Sequence, residues 1–190
     1  MKSLLHIQPT LLKPITGRIL ISVPFYNDPF FNRSVVLIIE KDKENCVGLI
    51  INQELNCTVR QAVSGVKIDM PVYAGGPVMH HTAFALHNFE NSKQSEEILP
   101  NVYAGYDDIL LAIFEHTKIP KMNFKFFIGY SGWEPGQLED EISRKMWVVA
   151  DGNEELVLRT PAQKVWEKAV KSLGREYAHW LEVPKNIHDN

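Results

Sequence analysis

The sequence is poor in cysteine, in long apolar runs and in clustered basic charge. Its two cysteines, Cys46 and Cys57, form no Cys-x-x-Cys pair and have no Cys or His at zinc-ligand spacing. We therefore predict reduced thiols in a cytoplasmic protein. No apolar run approaches the roughly 20 residues that span a bilayer, and the N-terminus lacks the apolar core of a signal peptide. We therefore expect that the protein is neither exported nor inserted in a membrane.

Basic charge is limited, because 20 Lys and Arg residues stand against 23 Asp and Glu residues, for a net charge of -3. The sequence shows no helix-turn-helix with a basic recognition helix, no zinc finger and no aromatic-basic platform, so it carries no signal for direct nucleic-acid binding. Nucleic-acid binding through a local basic patch stays open as a third, less favoured alternative. Among seven histidines, His81 and His87 would share one strand face but lie about 20 Å apart. We accordingly predict no metal site and no cofactor.

A recognisable nucleophile is also missing. The segment 129–139 reads Gly-Tyr-Ser-Gly-Trp-Glu-Pro-Gly-Gln-Leu-Glu, and its first residues resemble the start of a nucleophile elbow. The G-x-S-x-G motif needs glycine at position 133, where this chain has Trp133. The sequence therefore predicts no catalytic residue of this type. An alternative enzyme hypothesis stays open, in which Glu139 or Asp28 is the general acid or base of a small-substrate hydrolase or transferase.

The chain is expected to fold as one domain, 1–190, because no linker or internal repeat divides it. Strands are expected at 17–23, 34–40, 46–51, 72–74, 82–87, 123–130 and 146–150. The first two are apolar at successive positions, which is typical of central strands. Helices are expected from Thr58, Asp107, Pro135 and Thr160. We expect residues 88–100 to be a surface excursion and 155–158 to continue a strand.

Polar and glycine-rich positions fall at the ends of predicted strands, where rigid scaffolds commonly place ligand contacts. We predict that they form one binding surface, made of Asp28, Arg33, Asn52, Gly75, Gly76, Trp133, Gln137 and Glu139. This requires the Asp-Pro bend after Asp28 and the Gly-Trp bend at Trp133 to be neighbours. Structural roles stay open: an Asp28–Arg33 ion pair, a tight Gly75-Gly76 turn in place of an anion-binding one, and Trp133 as a plug over the core.

Four blocks of the sequence, at 28–36, 47–52, 75–78 and 129–139, together resemble the YqgE/AlgH family. Their order and spacing are similar from about Gly17 to Leu173, which is nearly the whole chain. The resemblance implies an α+β domain with its core at about 17–173, in which mixed or antiparallel sheets form a small barrel-like β core surrounded by helices, in a bacterial cytosolic protein. Part of the family is labelled a transcriptional regulator of exopolysaccharide synthesis.

The residues and the resemblance together favour a non-enzymatic binding or regulatory module in the cytoplasm. Because the sequence lacks nucleic-acid-binding signals, we expect any regulation to act through an unknown protein or small-molecule partner. The oligomeric state is not indicated by the sequence.

Overall fold

A computed structural model of the chain describes residues 12–26, 28–90, 93–106, 111 and 124–184. In these ranges, ten strands form one curled, half-barrel sheet. They are β1 (Arg18–Ser22), β2 (Val35–Lys41), β3 (Cys46–Ile50), β4 (Glu54–Thr58), β5 (Pro71–Ala74), β6 (Val78–His87), β7 (Ser95–Leu99), β8 (Val102–Gly105), β9 (Phe124–Trp133) and β10 (Trp147–Asp151). The helix predicted from Asp107 lies outside the described residues.

The sheet is mixed, as predicted. Its order is β10-β1-β2-β3-β9-β6-β8-β7, with β5 beside β9 and β4 beside β5. Strand β9 is central, because its last residues pair with β3 while its first part lies between β5 and β6. The β5–β9 pair is parallel, and the other strand pairs are antiparallel.

Helices are few in the described residues, so the expectation of a β core surrounded by helices was too broad. They are α1 (Val59–Ala62), α2 (Gln137–Ser143) and α3 (Ala162–Ser172), with a π-helix (Glu155–Arg159) and a 3₁₀ helix (Arg175–Glu182). The curled sheet itself encloses much of the apolar interior, since its strands supply most of the main buried cluster. None of the helices in the described part of the chain is long and apolar enough to cross a membrane.

Strand β1 is buried on both faces, as its continuous apolar run predicts. Ile19 and Ile21 pack in the same cluster as Val165 of α3, whereas Leu20 packs with Trp147 in a second cluster. Successive side chains of a strand point to opposite faces, so the two clusters lie on the two sides of the sheet. The three β1 residues named here are fully buried.

The segment 88–100 contains strand β7, although its polar composition predicts a surface excursion. Only Ile98 and Leu99 of β7 are buried, because this strand stands at the end of the sheet order. Strands β4 and β8 are also absent from the sequence-based prediction, and β6 begins at Val78, four residues before the expected position 82.

Residues 155–158 do not continue a strand. The Asn153 side chain accepts a hydrogen bond from the Leu156 amide at 2.9 Å, and the chain then forms the π-helix. The hydroxyl of Thr160 donates to the carbonyl of Glu155 at 2.9 Å, closing that helix instead of capping α3. Helix α3 itself is present, with Pro161 at its N-cap.

Candidate functional site

A groove of about 710 Å³ lies between two loops of the sheet and helix α3. One loop precedes β2 and the other follows β3, while the opposite wall is α3 with the end of the 3₁₀ helix. The lining includes Asn32, Gln53, Gln163, Lys164, Trp166 and Glu167. Two residues of the predicted binding surface, Arg33 and Asn52, line this groove, and the other six do not.

Arg33 has a left-handed backbone with φ of 50°. Its guanidinium lies over the ring of Trp166, 4.8 Å from the centroid. The same group donates to two consecutive main-chain carbonyls, those of Val183 and, at 3.1 Å, Pro184. Burial lowers the pKa of Arg33 from its ordinary value. Its Nε is buried and has no acceptor within the described part of the chain.

The predicted Asp28–Arg33 ion pair is not formed among the described residues. One oxygen of Asp28 accepts hydrogen bonds from the amides of Phe30 at 2.8 Å and Phe31 at 3.2 Å. An aspartate that bonds its own following backbone stabilises a turn. Asp28 therefore shapes the bend, while Arg33 turns toward the C-terminal segment.

Asn52 holds the backbone that carries Arg33. Its Oδ1 accepts from the amide of Val35 at 2.8 Å, and its Nδ2 donates to the carbonyl of Arg33 at 2.9 Å. A carboxamide whose oxygen accepts and whose NH₂ group donates in this way replaces a pair of backbone hydrogen bonds between strands. The two hydrogen-bond partners, Val35 and Arg33, lie 17 and 19 residues away in the sequence. The sequence could therefore select Asn52 as a candidate but could not predict its role.

Gly75 and Gly76 lie directly against β9. The amide of Gly75 donates to the carbonyl of Ile128 at 2.9 Å, so it is committed to the sheet. A Cβ on Gly75 would lie 2.1 Å from the oxygen of Gly129, and one on Gly76 would lie 2.3 Å from the carbonyl carbon of Tyr130. Glycine is required at both positions because the two backbones approach each other closely. This supports the structural alternative of a tight turn over an anion-binding loop.

Trp133 is 6% exposed and belongs to the second core cluster. Its indole donates to Oε2 of Glu141 at 2.9 Å, and the indole of Trp147 donates to the same oxygen at 2.7 Å. Gln137 donates to the other oxygen of Glu141 at 2.9 Å. Trp133 is thus a core residue in this structure, and Glu141 is the residue that organises it.

Glu139 lies near the edge of the same region. Its carboxylate is 3.1 Å from the ammonium of Lys41, and its side chain is half exposed. Neither Glu139 nor Asp28 lines the groove. The structure therefore gives no support to the hydrolase or transferase alternative, which needs one of these carboxylates beside a cleft.

The two bends of the predicted surface are nevertheless neighbours. Phe31, from the Asp-Pro bend, is stacked against Trp133 of the Gly-Trp bend with ring centroids 6.4 Å apart. Tyr26 and Trp147 complete this aromatic group, each in ring contact with Phe31. Burial and the charges of Glu141 and Asp28 raise the pKa of Tyr26 to about 12, so its hydroxyl stays protonated at neutral pH.

Glu141 was missed by sequence reasoning. In the sequence it belongs to an acidic first turn, 139–141, which compensation of the helix dipole explains without further assumptions. The structure places the ring of Trp147, at the start of β10, 6.2 Å from that of Trp133, with both indoles donating to Glu141. Within the described ranges, no group of three His, Cys, Asp or Glu side chains is placed to hold a metal ion.

The fold and the groove define a class: a sheet-rich α+β protein with a polar groove beside its main helix. A family model described as AlgH-like (DUF179) matches residues 19–178. The chain is 34% identical to a UPF0301 protein of Bacteroides thetaiotaomicron over 183 residues, and this alignment covers 94% of this chain and 93% of that protein. The chain therefore belongs to the AlgH-like family.

Solved structures show the same fold. The X-ray structure of protein DIP2367 from Corynebacterium diphtheriae matches with a TM-score of 0.75 and 20% identity, over 89% of this chain and 92% of that one. The solution structure of AlgH from Pseudomonas aeruginosa matches with a TM-score of 0.70 and 25% identity, over 86% and 92%. The curled mixed sheet is thus a property that this chain shares with these relatives.

Proposed function

We propose that this protein is a non-enzymatic binding module of the cytoplasm whose groove takes an extended segment of a partner protein. The observation that carries the proposal is the hold of Arg33 on two consecutive main-chain carbonyls, those of Val183 and Pro184. A planar guanidinium with five donors suits a row of carbonyl oxygens.

The support for Arg33 is rigid. Asn52 fixes its carbonyl, and Trp166 lies against its guanidinium. The indole of Trp166 in turn donates to the carbonyl of Ser22 at 3.0 Å, which ties it to β1. A preorganised side chain loses little entropy when it binds, so Arg33 is a suitable anchor.

The rim of the groove suits a polypeptide backbone. Asn32 and Gln163 are exposed carboxamides, each with donor and acceptor groups that match those of a peptide bond. Lys164 lies 3.2 Å from Glu167, so their charges largely cancel at the rim. The volume of about 710 Å³ falls in the range of ligand-binding clefts. Any regulatory role would then depend on occupancy of this groove by the partner.

A photo-crosslinking amino acid at position 163 tests the proposal in living cells. The matched control places the same group at Ser172, which is exposed on the opposite side of the same helix. We expect a discrete protein adduct from position 163 that is missing from position 172. Equal adducts at both positions, or none at 163, would contradict the proposal.

A second experiment distinguishes a small-molecule ligand from a protein partner. Native mass spectrometry of the purified protein would detect a retained metabolite, and its loss in Arg33→Gln would place it in the groove. A metabolite adduct without a protein crosslink would replace the partner-protein proposal by a small-molecule one.

A further inference from the structure

A second cavity, of about 210 Å³, lies where β5 and β9 meet the π-helix. Its lining includes Tyr73, Phe124, Lys125, Leu158, Arg159 and Pro161. It shares no lining residue with the groove beside α3. The two cavities are therefore separate sites.

Lys125 is unusual in this cavity because the whole residue is only 4% exposed. Its ammonium donates to the carbonyl of Ile51 at 3.2 Å and lies 4.8 Å from the ring centroid of Tyr73. Among the described residues, no carboxylate forms an ion pair with it. A buried cation without a counter-ion is costly, and an ammonium has three protons to donate.

The nearest charges are committed elsewhere. The hydroxyl of Tyr73 donates to Oε1 of Glu54 at 2.9 Å. Burial and this glutamate raise the pKa of Tyr73, so the hydroxyl keeps its proton. Arg159 is paired with Glu154 at the rim. Lys125 is therefore the cation of this cavity that lacks an anionic partner in the described residues.

We propose that this cavity binds a small monocarboxylate, with the carboxylate on the Lys125 ammonium and the apolar body against Tyr73, Leu158 and Pro161. One buried cation matches one negative charge, whereas a phosphate dianion would need more donors. The volume lies below the roughly 300 Å³ lower bound of drug-sized pockets, which limits the ligand to a short-chain acid.

Protonation supplies a second property of the site. Burial lowers the pKa of Lys125 to about 8, and the charge of Glu54 opposes this change. The described titratable or charged groups around the ammonium are Glu54 on β4, Tyr73 on β5 and Arg159 on the π-helix. An anion favours the charged amine, so binding should raise the pKa of Lys125 and weaken as the pH passes 8.

Calorimetric or NMR titration of the full chain with butyrate at pH 7 tests the proposal, with acetate and hexanoate as a length series. Butyramide, which has the same shape without the charge, is the ligand control. We expect butyrate to bind at least tenfold more tightly than butyramide, and to lose at least tenfold in Lys125→Met. Arg159→Gln, which removes the paired rim cation, should change the affinity less than threefold.

Three results would overturn the proposal: equal binding of butyrate and butyramide, unchanged butyrate binding in Lys125→Met, or no binding with a Kd below roughly 10 mM. If Lys125→Met does not fold, the wild-type protein still decides the matter. Butyrate affinity must then fall between pH 7 and pH 9.5, and an affinity independent of pH contradicts a role for Lys125.

Discussion

Replacing Glu141 by alanine tests the contact that joins helix α2 to the aromatic side of the sheet. The carboxylate accepts both the Trp133 and the Trp147 indole N–H, at 2.9 and 2.7 Å. Both rings are at least nine-tenths buried. Removing the acceptor leaves two buried donors unpaired.

The expected loss follows from these contacts. A buried donor left without an acceptor costs about 1–3 kcal/mol. Because Glu141 is itself only partly buried, water can reach part of the site, and we expect Glu141→Ala to lower the free energy of unfolding by about 2–4 kcal/mol. Glu141→Gln keeps an acceptor oxygen but no charge, so we expect it to lose about half as much.

The matched control is Asp140→Ala on the same helical turn. Asp140 forms an exposed ion pair with Arg144 at 3.0 Å, and such pairs, with the helix dipole, contribute less than about 1 kcal/mol. Urea unfolding followed by tryptophan fluorescence and by circular dichroism gives both values. For a chain of this size the Glu141→Ala loss corresponds to a Tm lower by about 5–10 °C.

A loss in Glu141→Ala within about 0.5 kcal/mol of that in Asp140→Ala would refute the reasoning. A second check is the double variant with Trp133→Phe. Since one of the two donors is then already gone, the double variant should lose less than the sum of the single variants.

Three further outcomes are expected. Gly75→Ala should lower the free energy of unfolding by more than about 3 kcal/mol, because the added Cβ would clash with the Gly129 oxygen. Gly65→Ala should lower it by about 1 kcal/mol, because position 65 has a positive φ but no atom within 4 Å of the added Cβ. Equal losses of the two variants in denaturant titrations would argue against the clash at Gly75. Burial raises the pKa of Cys46 to about 11, so iodoacetamide at pH 8 should modify the half-buried Cys57 first, and two adducts appearing at equal rates by intact mass would contradict this. Burial lowers the pKa of Lys125 in the folded chain to about 8 from its ordinary value of 10.5, so between these pH values the unfolded chain binds a proton that the folded chain does not. The free energy of unfolding, relative to that of Lys125→Met, should therefore rise over that pH window by on the order of 3 kcal/mol. A difference that stays constant between pH 8 and 10 would show that folding does not lower the pKa of Lys125.

Prediction from the sequence succeeded where the pattern of apolar residues was decisive. Residues 18–22 and 35–41 form strands as expected, and residues 19–22 and 35–38 of them are buried because apolar side chains on both faces leave no solvent-facing alternative. It failed for β7, since three of the five residues of that strand at the end of the sheet order are polar and the apolar period is too short to detect. It also failed at Glu155, where the Asn153 side chain, and not the apolar pattern, selects the helix.

The candidate site divides in the same way. The polar positions Arg33 and Asn52 could be selected from their place at strand ends, but their bonds to Val183 and Val35 join distant parts of the chain. Lys125 had a signal in the sequence that went unused: a lysine between Phe124 and Phe126 in a predicted strand shares the face of a buried residue, Phe127.

The amino-acid sequence alone determined the family, because four blocks keep their order and spacing along nearly the whole chain, and the mixed α+β character followed from that resemblance. It also determined the central strands, because an apolar run is contained in a single segment. Only the tertiary structure decided which side chains meet: Glu141 with two tryptophans, Arg33 with the C-terminal carbonyls, and Lys125 with a cavity that lacks a counter-ion in the described residues. The physical reason is that hydrogen bonds and charge burial depend on distances between side chains in three dimensions. The folding of the sheet sets those distances, even for Glu141 and its two tryptophans, which lie only 8 and 6 positions away in the sequence.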